Sequence, residues 1–147
     1  MLLKKAERAH KLETADYARL AAFRRALRQF LRFSEDAAAE AGLTAQHYQA
    51  LLILRACRED KRVTINDLAT DLLIKHNSAV GLVDRLETEG LIVREAAEED
   101  RRKVELRLSP RGRTVLAKLA GIHRRELERI GPLLGRLIID AGRIEGK

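Results

Sequence analysis

Three features of this 147-residue chain predict a mainly α protein with a small β-wing: a winged helix-turn-helix domain flanked by N- and C-terminal dimerisation helices. The first is a pair of helical segments, Asp67–Leu73 and Ala79–Glu89, separated by the polar stretch Lys75-His76-Asn77-Ser78. In the second segment Ala79, Leu82, Val83 and Leu86 recur at i, i+3, i+4, i+7, so one stripe is buried and the opposite face is left open. The second feature is the short apolar run Leu91-Ile92-Val93, followed beyond the charged residues 94–102 by Val104, Leu106 and Leu108 alternating with polar neighbours. This is the pattern of a half-buried hairpin with a solvated tip. The third is an excess of apolar residues at helical spacing near both ends of the chain.

Taken in order, the chain opens with one long helix from about Lys4 to Phe33, since no Pro or Gly occurs before Gly42. Leu20, Phe23, Leu27, Phe30 and Leu31 form its apolar stripe, and Arg19, Arg24, Arg25, Arg28 and Arg32 crowd the remaining surface. Ser34-Glu35-Asp36 is expected to cap a second short helical piece through Ala37–Ala41, which Gly42 ends. Thr44 is placed to cap the next helix with His47 at its N3 position, and Tyr48, Leu51, Leu52 and Leu54 supply its buried side. Lys61-Arg62-Val63-Thr64 reads as a third strand beside the wing, and Asn77 or Ser78 as the N-cap of the second segment, which stops at Gly90.

Beyond the wing, Pro110 suits a helix start, because its missing N–H has no partner there in any case. A helix is expected from Arg113 to Ile130, a break at Gly131-Pro132, and a last piece from Leu133 to Asp140. Leu116, Ala120, His123, Leu127, Ile130, Leu134 and Leu137 mark one packing seam, and Val115, Leu119 and Ile122 another face. A single helix cannot bury both against so small a domain. The expectation is a homodimer, with residues 4–33 and 111–140 as interlocking dimerisation helices of one domain, 1–147, around the winged region 44–108. The alternative is a monomer whose terminal helices fold back as a bundle.

Composition narrows the function. Hydrophobic residues at 46% and charged residues at 35% describe a globular chain rather than a disordered one. A net charge of +7 favours a polyanionic partner without naming it. One cysteine, Cys57, allows no intramolecular disulfide, and residues 1–8 lack a signal peptide's apolar core. No segment reaches membrane-spanning length, so a cytoplasmic protein is expected. Enzyme chemistry has little support: there is no phosphate-cradling glycine loop, HExxH or CxxC, and His10, His47, His76 and His123 are scattered without ligand spacing. Neither a metal nor a cofactor is expected. His123 lies on the apolar seam, where a core histidine is favoured over a ligand or pH sensor.

A helix-turn-helix places its second helix in a DNA major groove, with the N-terminal end leading. The face opposite the buried stripe carries Asn77, Ser78, Gly81, Arg85 and Thr88, with Val80 at its edge. Asn pairs bidentately with adenine, Ser serves several bases or a phosphate, Arg suits guanine, and Val80 can meet a thymine methyl. Lys75 and His76 are placed for phosphates, and Arg101 and Arg102 at the wing tip for backbone or minor groove. The blander alternatives are an N-cap for Asn77 or Ser78 and a solvated loop for the two arginines. Asp84 would repel phosphate and is expected to pair with a neighbouring Arg.

From Leu68-Ala69 through Lys75-His76-Asn77-Ser78-Ala79-Val80-Gly81-Leu82-Val83-Asp84-Arg85-Leu86-Glu87, then Gly90-Leu91-Ile92, Asp100-Arg101-Arg102, Leu106-Arg107-Leu108-Ser109 and Gly112, the chain resembles the MarR family of bacterial winged-helix regulators. The order and spacing of these pieces carry the resemblance, which extends more loosely to Gly42-Leu43-Thr44 and the terminal helices. It implies the same homodimer, Asp100 as the acid that orients the wing loop, Arg102 as the minor-groove arginine and Arg101 as a phosphate contact. Gly81 departs from the larger side chain that relatives carry there. The resemblance further implies a repressor released from a pseudo-palindromic operator by an effector. Tyr17, Phe23, Phe30 and Tyr48 are then candidates for a pocket taking a small, aromatic ligand, against the reading that they are core. Two other functions stay open: a redox sensor through Cys57, although in the family's peroxide-sensing branch the cysteine lies in the first helix, and a protein-interaction module on the same scaffold.

Overall fold

The computed structural model describes residues 11–57 and 61–143. In chain order the elements are α1 (Thr14–Glu40), α2 (Ala45–Ala56), α3 (Ile65–Leu72), α4 (His76–Thr88), β1 (Ile92–Ala96), β2 (Val104–Leu108) and α5 (Pro110–Gly142). The described residues divide into two compact units, one formed within Ser34–His123 and the other by residues 11–33 and 124–143.

The Ser34–His123 unit holds the core. Leu51, Leu68, Leu86, Ile92, Leu119 and Val83 are its largest fully buried side chains, contributed by α2, α3, α4, β1 and α5. Each such leucine contributes about 2 kcal/mol through removal of apolar surface from water. In α4 the buried residues are Ala79, Leu82, Val83 and Leu86, the stripe expected from spacing. Two capping boxes set where α2 and α3 begin. Thr44 Oγ1 accepts from the His47 N–H at 3.1 Å while His47 Nδ1 accepts from the Thr44 N–H at 3.2 Å. Thr64 and Asp67 repeat the arrangement at α3, with Asp67 Oδ2 accepting from the Thr64 N–H at 2.9 Å.

The His47 cap titrates. Burial, followed by the nearby Arg85 charge and opposed by Glu89, lowers the imidazole's pKa below the ordinary 6.5. The unfolded chain therefore takes up the proton first, so this residue's contribution to stability is complete above about pH 6.5 and is lost as pH falls through the depressed folded value. His47→Gln keeps an acceptor at N3 and cannot protonate, so it is expected to flatten the fall of the thermal midpoint between pH 7 and 5. Equal slopes for the two proteins would count against this role.

The wing pairs β1 with β2 antiparallel, Ile92 opposite Leu108 and Ala96 opposite Val104. Leu106 is buried while Val104 remains 38% exposed, because the hairpin projects beyond the core toward its tip. The expected third strand shrinks to a single bridge in which the Leu106 N–H donates to the Val63 carbonyl at 2.8 Å. Thr64 is drawn into the cap of α3, and the chain cannot stay extended past it. At the base of the wing the Ser109 N–H donates to the Leu91 carbonyl at 3.0 Å, and the Ser109 hydroxyl donates to the Gly90 carbonyl at 2.6 Å. The same hydroxyl oxygen accepts the Gly112 N–H at 2.9 Å, so one serine ties the wing to α5.

Four further expectations are corrected. The first helix does not end at Phe33: α1 runs unbroken through Ser34-Glu35-Asp36 to Glu40. Ser34 is 5% exposed and its hydroxyl meets His123 Nε2 at 2.8 Å, so it is engaged across the core and not as a cap. The expected start at Lys4, and the leader reading of residues 1–8, lie outside the described residues. Second, Gly131-Pro132 does not break α5, which is continuous from Pro110 to Gly142. A proline removes one helical hydrogen bond, and the bonds before and after it keep the ladder going. Third, neither Asn77 nor Ser78 caps α4; the N-cap is Lys75, without a side-chain bond. Fourth, the turn is Leu73-Ile74-Lys75, not 75–78. Leu73 takes the left-handed conformation (φ 56°) at the end of α3, and the Ile74 N–H closes back onto the Ala69 carbonyl at 3.0 Å.

In the other unit, no described residue from 11 to 33 or from 124 to 143 is buried in the isolated chain. Leu20, Leu31, Leu127, Leu133, Ile138 and Ile139 are each at least 41% exposed. No helix among the described residues is long and apolar enough to cross a membrane.

Candidate nucleic-acid interface

The candidate face is built by α4 and the wing. Since Ala79, Leu82, Val83 and Leu86 fasten one side of α4 to the core, the helical period turns Asn77, Ser78, Gly81 and Arg85 outward, and all four are exposed. Lys75 and His76 are exposed at the leading end and Val80 is half-buried at the edge of the face. With its N-cap lacking a side-chain bond, this end presents backbone N–H groups together with a lysine and a histidine. A Cβ built on Gly81 would meet nothing within 4 Å, so the backbone itself is open there. Among the described residues, Arg85 reaches only a loose pairing with Glu89 at 3.7 Å.

Asp84 is neutralised as expected. It pairs with Arg94 of β1, whose Nε also lies 3.4 Å from Glu87. This arginine joins the base of the wing to the outer side of α4, and sequence reasoning missed it. The two charges are ten residues apart across the Gly90 turn, a separation with no helical or strand periodicity.

At the tip, Asp100 Oδ1 accepts the Arg102 backbone N–H at 3.0 Å, and the Asp100 carbonyl accepts the Lys103 N–H at 3.0 Å. The carboxylate thus shapes the loop through its backbone rather than by gripping a guanidinium. Arg101 and Arg102 are exposed and make no ion pair among the described residues. Guanidiniums in this state have little desolvation to lose and full charge to offer a phosphate.

Between α3, the start of α4 and the wing lies a cleft of about 590 Å³ lined by Thr64, Ile65, Asn66, Asp67, His76, Arg102, Lys103 and Val104. It brings His76 and Arg102 to one place, together with Asn66 and Lys103, which the sequence did not single out. Asn66 Oδ1 lies 2.6 Å from His76 Nδ1.

The remaining candidates fall elsewhere. Tyr48 is 7% exposed and stacks on the His123 ring, with centroids 4.1 Å apart, in the core of the Ser34–His123 unit. Its burial raises its pKa above the ordinary value. His123 is itself a core residue, as expected, its Nδ1–H directed at the Leu119 carbonyl at 2.8 Å. Tyr17 is 60% exposed, and Phe23 and Phe30 are half-buried, all on the part of α1 that belongs to the other unit. Cys57 is half-buried at the C-cap of α2.

Comparison with known proteins agrees with this geometry. A model of the MarR family matches residues 41–103, from the approach to α2 through the wing tip. The chain is 30% identical over 97 residues to the HTH-type transcriptional regulator FarR of Neisseria gonorrhoeae, a match spanning 66% of this chain and 64% of that relative. Among solved structures, the transcriptional repressor CouR bound to a 23-mer DNA duplex superposes with a TM-score of 0.69 at 30% identity, over 90% of this chain and 93% of that one. AbsC, a MarR family transcriptional regulator from Streptomyces coelicolor, superposes at 0.71 with 25% identity, covering 82% and 81%. With the order of elements, the buried stripe of α4 and the arginine-tipped hairpin all in agreement, the chain belongs to the MarR family, a family of transcriptional regulators and not of enzymes.

Proposed function

We propose that this protein is a cytoplasmic, sequence-specific regulator that binds double-stranded DNA as a homodimer, acting as a repressor that an effector releases. The observation that carries the reading is the pairing of an outward α4 face, Lys75 to Arg85, with the exposed Arg101 and Arg102 of the wing in a chain of net charge +7. A helix of this width fits the major groove and the wing arginines fit the neighbouring minor groove, which their charge favours where it narrows. CouR, which the chain matches over nine tenths of its length, was solved on duplex DNA.

The proposed dimer rests on the surface left by the terminal segments, where apolar side chains at helical spacing find no cover in the isolated chain. Two identical heads on a two-fold axis require an inverted-repeat site with half-sites roughly 10 base pairs apart. Release requires an effector that prefers one spacing of the heads, since only differential affinity shifts the balance. Tyr17, Phe23 and Phe30 supply aromatic surface for such a ligand.

Selection of bound sequences from a random duplex pool tests the reading. The expected outcome is an inverted repeat with that spacing; recovery of no enriched sequence at low salt would overturn it. Gly81→Ala gives a second check. The substitution is expected to stabilise α4 by about 1 kcal/mol, raising the thermal midpoint by about 4 °C, because glycine is the poorer helix former and a methyl group meets no clash here. The same methyl group stands on the reading face, so operator affinity is expected to fall while stability rises. Unchanged affinity would show that Gly81 makes no close approach.

A further inference from the structure

A helix in the major groove and a wing in the adjacent minor groove are separated by one sugar–phosphate strand. On the reading given above, on which this inference rests, that strand crosses the gap between the start of α4 and the wing. The gap is the cleft lined by Asn66, His76, Arg102 and Lys103.

The Asn66 amide oxygen can only accept, so at 2.6 Å it requires the proton of the neutral His76 ring to sit on Nδ1. The ring is thereby held by one nitrogen, with Nε2 left for a ligand. In the neutral ring Nε2 carries a lone pair, which a phosphate oxygen repels; in the imidazolium it carries a proton, which a phosphate oxygen accepts. The charged groups around the ring support the second state when DNA is present. Arg102 and Lys103 come from the wing and Lys75 immediately precedes the ring, and all three attract the phosphate. Asp67, the carboxylate in the cleft, is occupied by the Thr64 N–H at 2.9 Å and the Thr64 hydroxyl at 3.0 Å.

We propose that Asn66 is a positioning residue that holds His76 by Nδ1 and aims Nε2 at a DNA backbone phosphate in this cleft, so that each protomer takes up one proton as it binds. Asn66 does not touch the DNA; it acts through the ring. Because binding then takes up a proton, the consequence is operator binding that weakens as pH rises.

The test is the affinity of the full chain for its selected duplex, measured by fluorescence anisotropy from pH 5.5 to 8.5 at fixed ionic strength. The wild type is expected to lose up to about tenfold per protomer for each pH unit above the midpoint. His76→Gln is expected to remove that loss, leaving only what other histidines contribute. Asn66→Ala, which frees the ring, is expected to weaken binding by about tenfold at pH 6. Asn66→Asp retains the acceptor and adds a negative charge beside the ring, so it is expected to shift the midpoint upward by about one pH unit. A merely structural Asn66 would leave the midpoint of Asn66→Ala at the wild-type value, whereas loss of the acceptor that holds Nδ1–H is expected to lower it. Wild-type slope in His76→Gln, or an unmoved midpoint in Asn66→Asp, would overturn the inference while leaving DNA binding intact. Failure of the wild type to bind any duplex would overturn both.

Discussion

Gly112→Ala is expected to cost about 3 kcal/mol of folding stability, although it adds a single methyl group. A Cβ at this position would stand 2.0 Å from the Leu91 carbonyl oxygen and 3.0 Å from its carbon, too close for either atom to stay in place. Neither side can yield cheaply. The Leu91 carbonyl accepts the Ser109 N–H at 3.0 Å, Leu91 is 2% exposed, and the helix carrying Gly112 is fastened by the Gly112 N–H to Ser109 Oγ at 2.9 Å. Relief requires α5 to lift from the base of the wing, which breaks these bonds and uncovers Leu116 and Leu119, now 3% and 2% exposed. Ser109→Ala provides the comparison: it removes the hydroxyl bonds without creating a clash and is expected to cost about 1 kcal/mol. Chemical denaturation of the three proteins checks the order. A midpoint for Gly112→Ala equal to that of the wild type would mean that this joint gives way more easily than its hydrogen bonds indicate.

The second large effect concerns recognition, and it separates the two halves of the proposed interface. Asn77→Ala is expected to weaken operator binding by about 1–3 kcal/mol per half-site and to relax the preference at one base pair, with little change in salt dependence. Arg102→Ala is expected to act in the opposite way: affinity drops on all sequences, and the slope of log K against log salt becomes shallower by about 0.9 for each phosphate left without its cation, hence about 2 for a dimer. The contrast follows from what each residue offers. Asn77 is a neutral amide on the outward face of a fastened helix, while Arg102 is an exposed cation on a loop whose backbone Asp100 shapes. Salt titrations on the selected site and on one altered at that base pair measure both effects. An unchanged slope for Arg102→Ala would remove the wing arginine from the DNA interface.

Both predictions draw on features of different legibility. Gly112 could be picked out in the sequence only as part of a recurrent pattern, because its necessity comes from a carbonyl twenty-one positions earlier. The outward residues of α4 were readable directly, since the helical period fixes the far side once the buried stripe is recognised. The N-cap of the same helix was not: Asn77 and Ser78 have strong capping propensity, yet Leu73 adopts a left-handed conformation that propensity disfavours, and the turn closes two residues earlier. Local preference there yielded to the burial of Ala79 and Leu82, which sets where α4 must begin. The break expected at Ser34 failed for a related reason. A cap residue acts as a cap only when nothing else engages its side chain, and Ser34 is engaged by His123, 89 positions away.

By itself, then, the order of amino acids determined the two central helices and the hairpin, the buried stripe of α4 and the charge offered to a polyanion, because periodicity and composition are properties of neighbours along the chain. It also put Leu52 on a buried side, where the structure leaves it 41% exposed. Only the tertiary structure decided that Arg94 bridges wing and α4, that Ser109 fastens the wing to α5, and that Asn66 holds His76 in a cleft shared with Arg102. These depend on pairs brought together by packing. Hydrogen bonds and ion pairs act over a few ångströms in space, and a linear pattern does not say which distant groups the folded core will place within that reach.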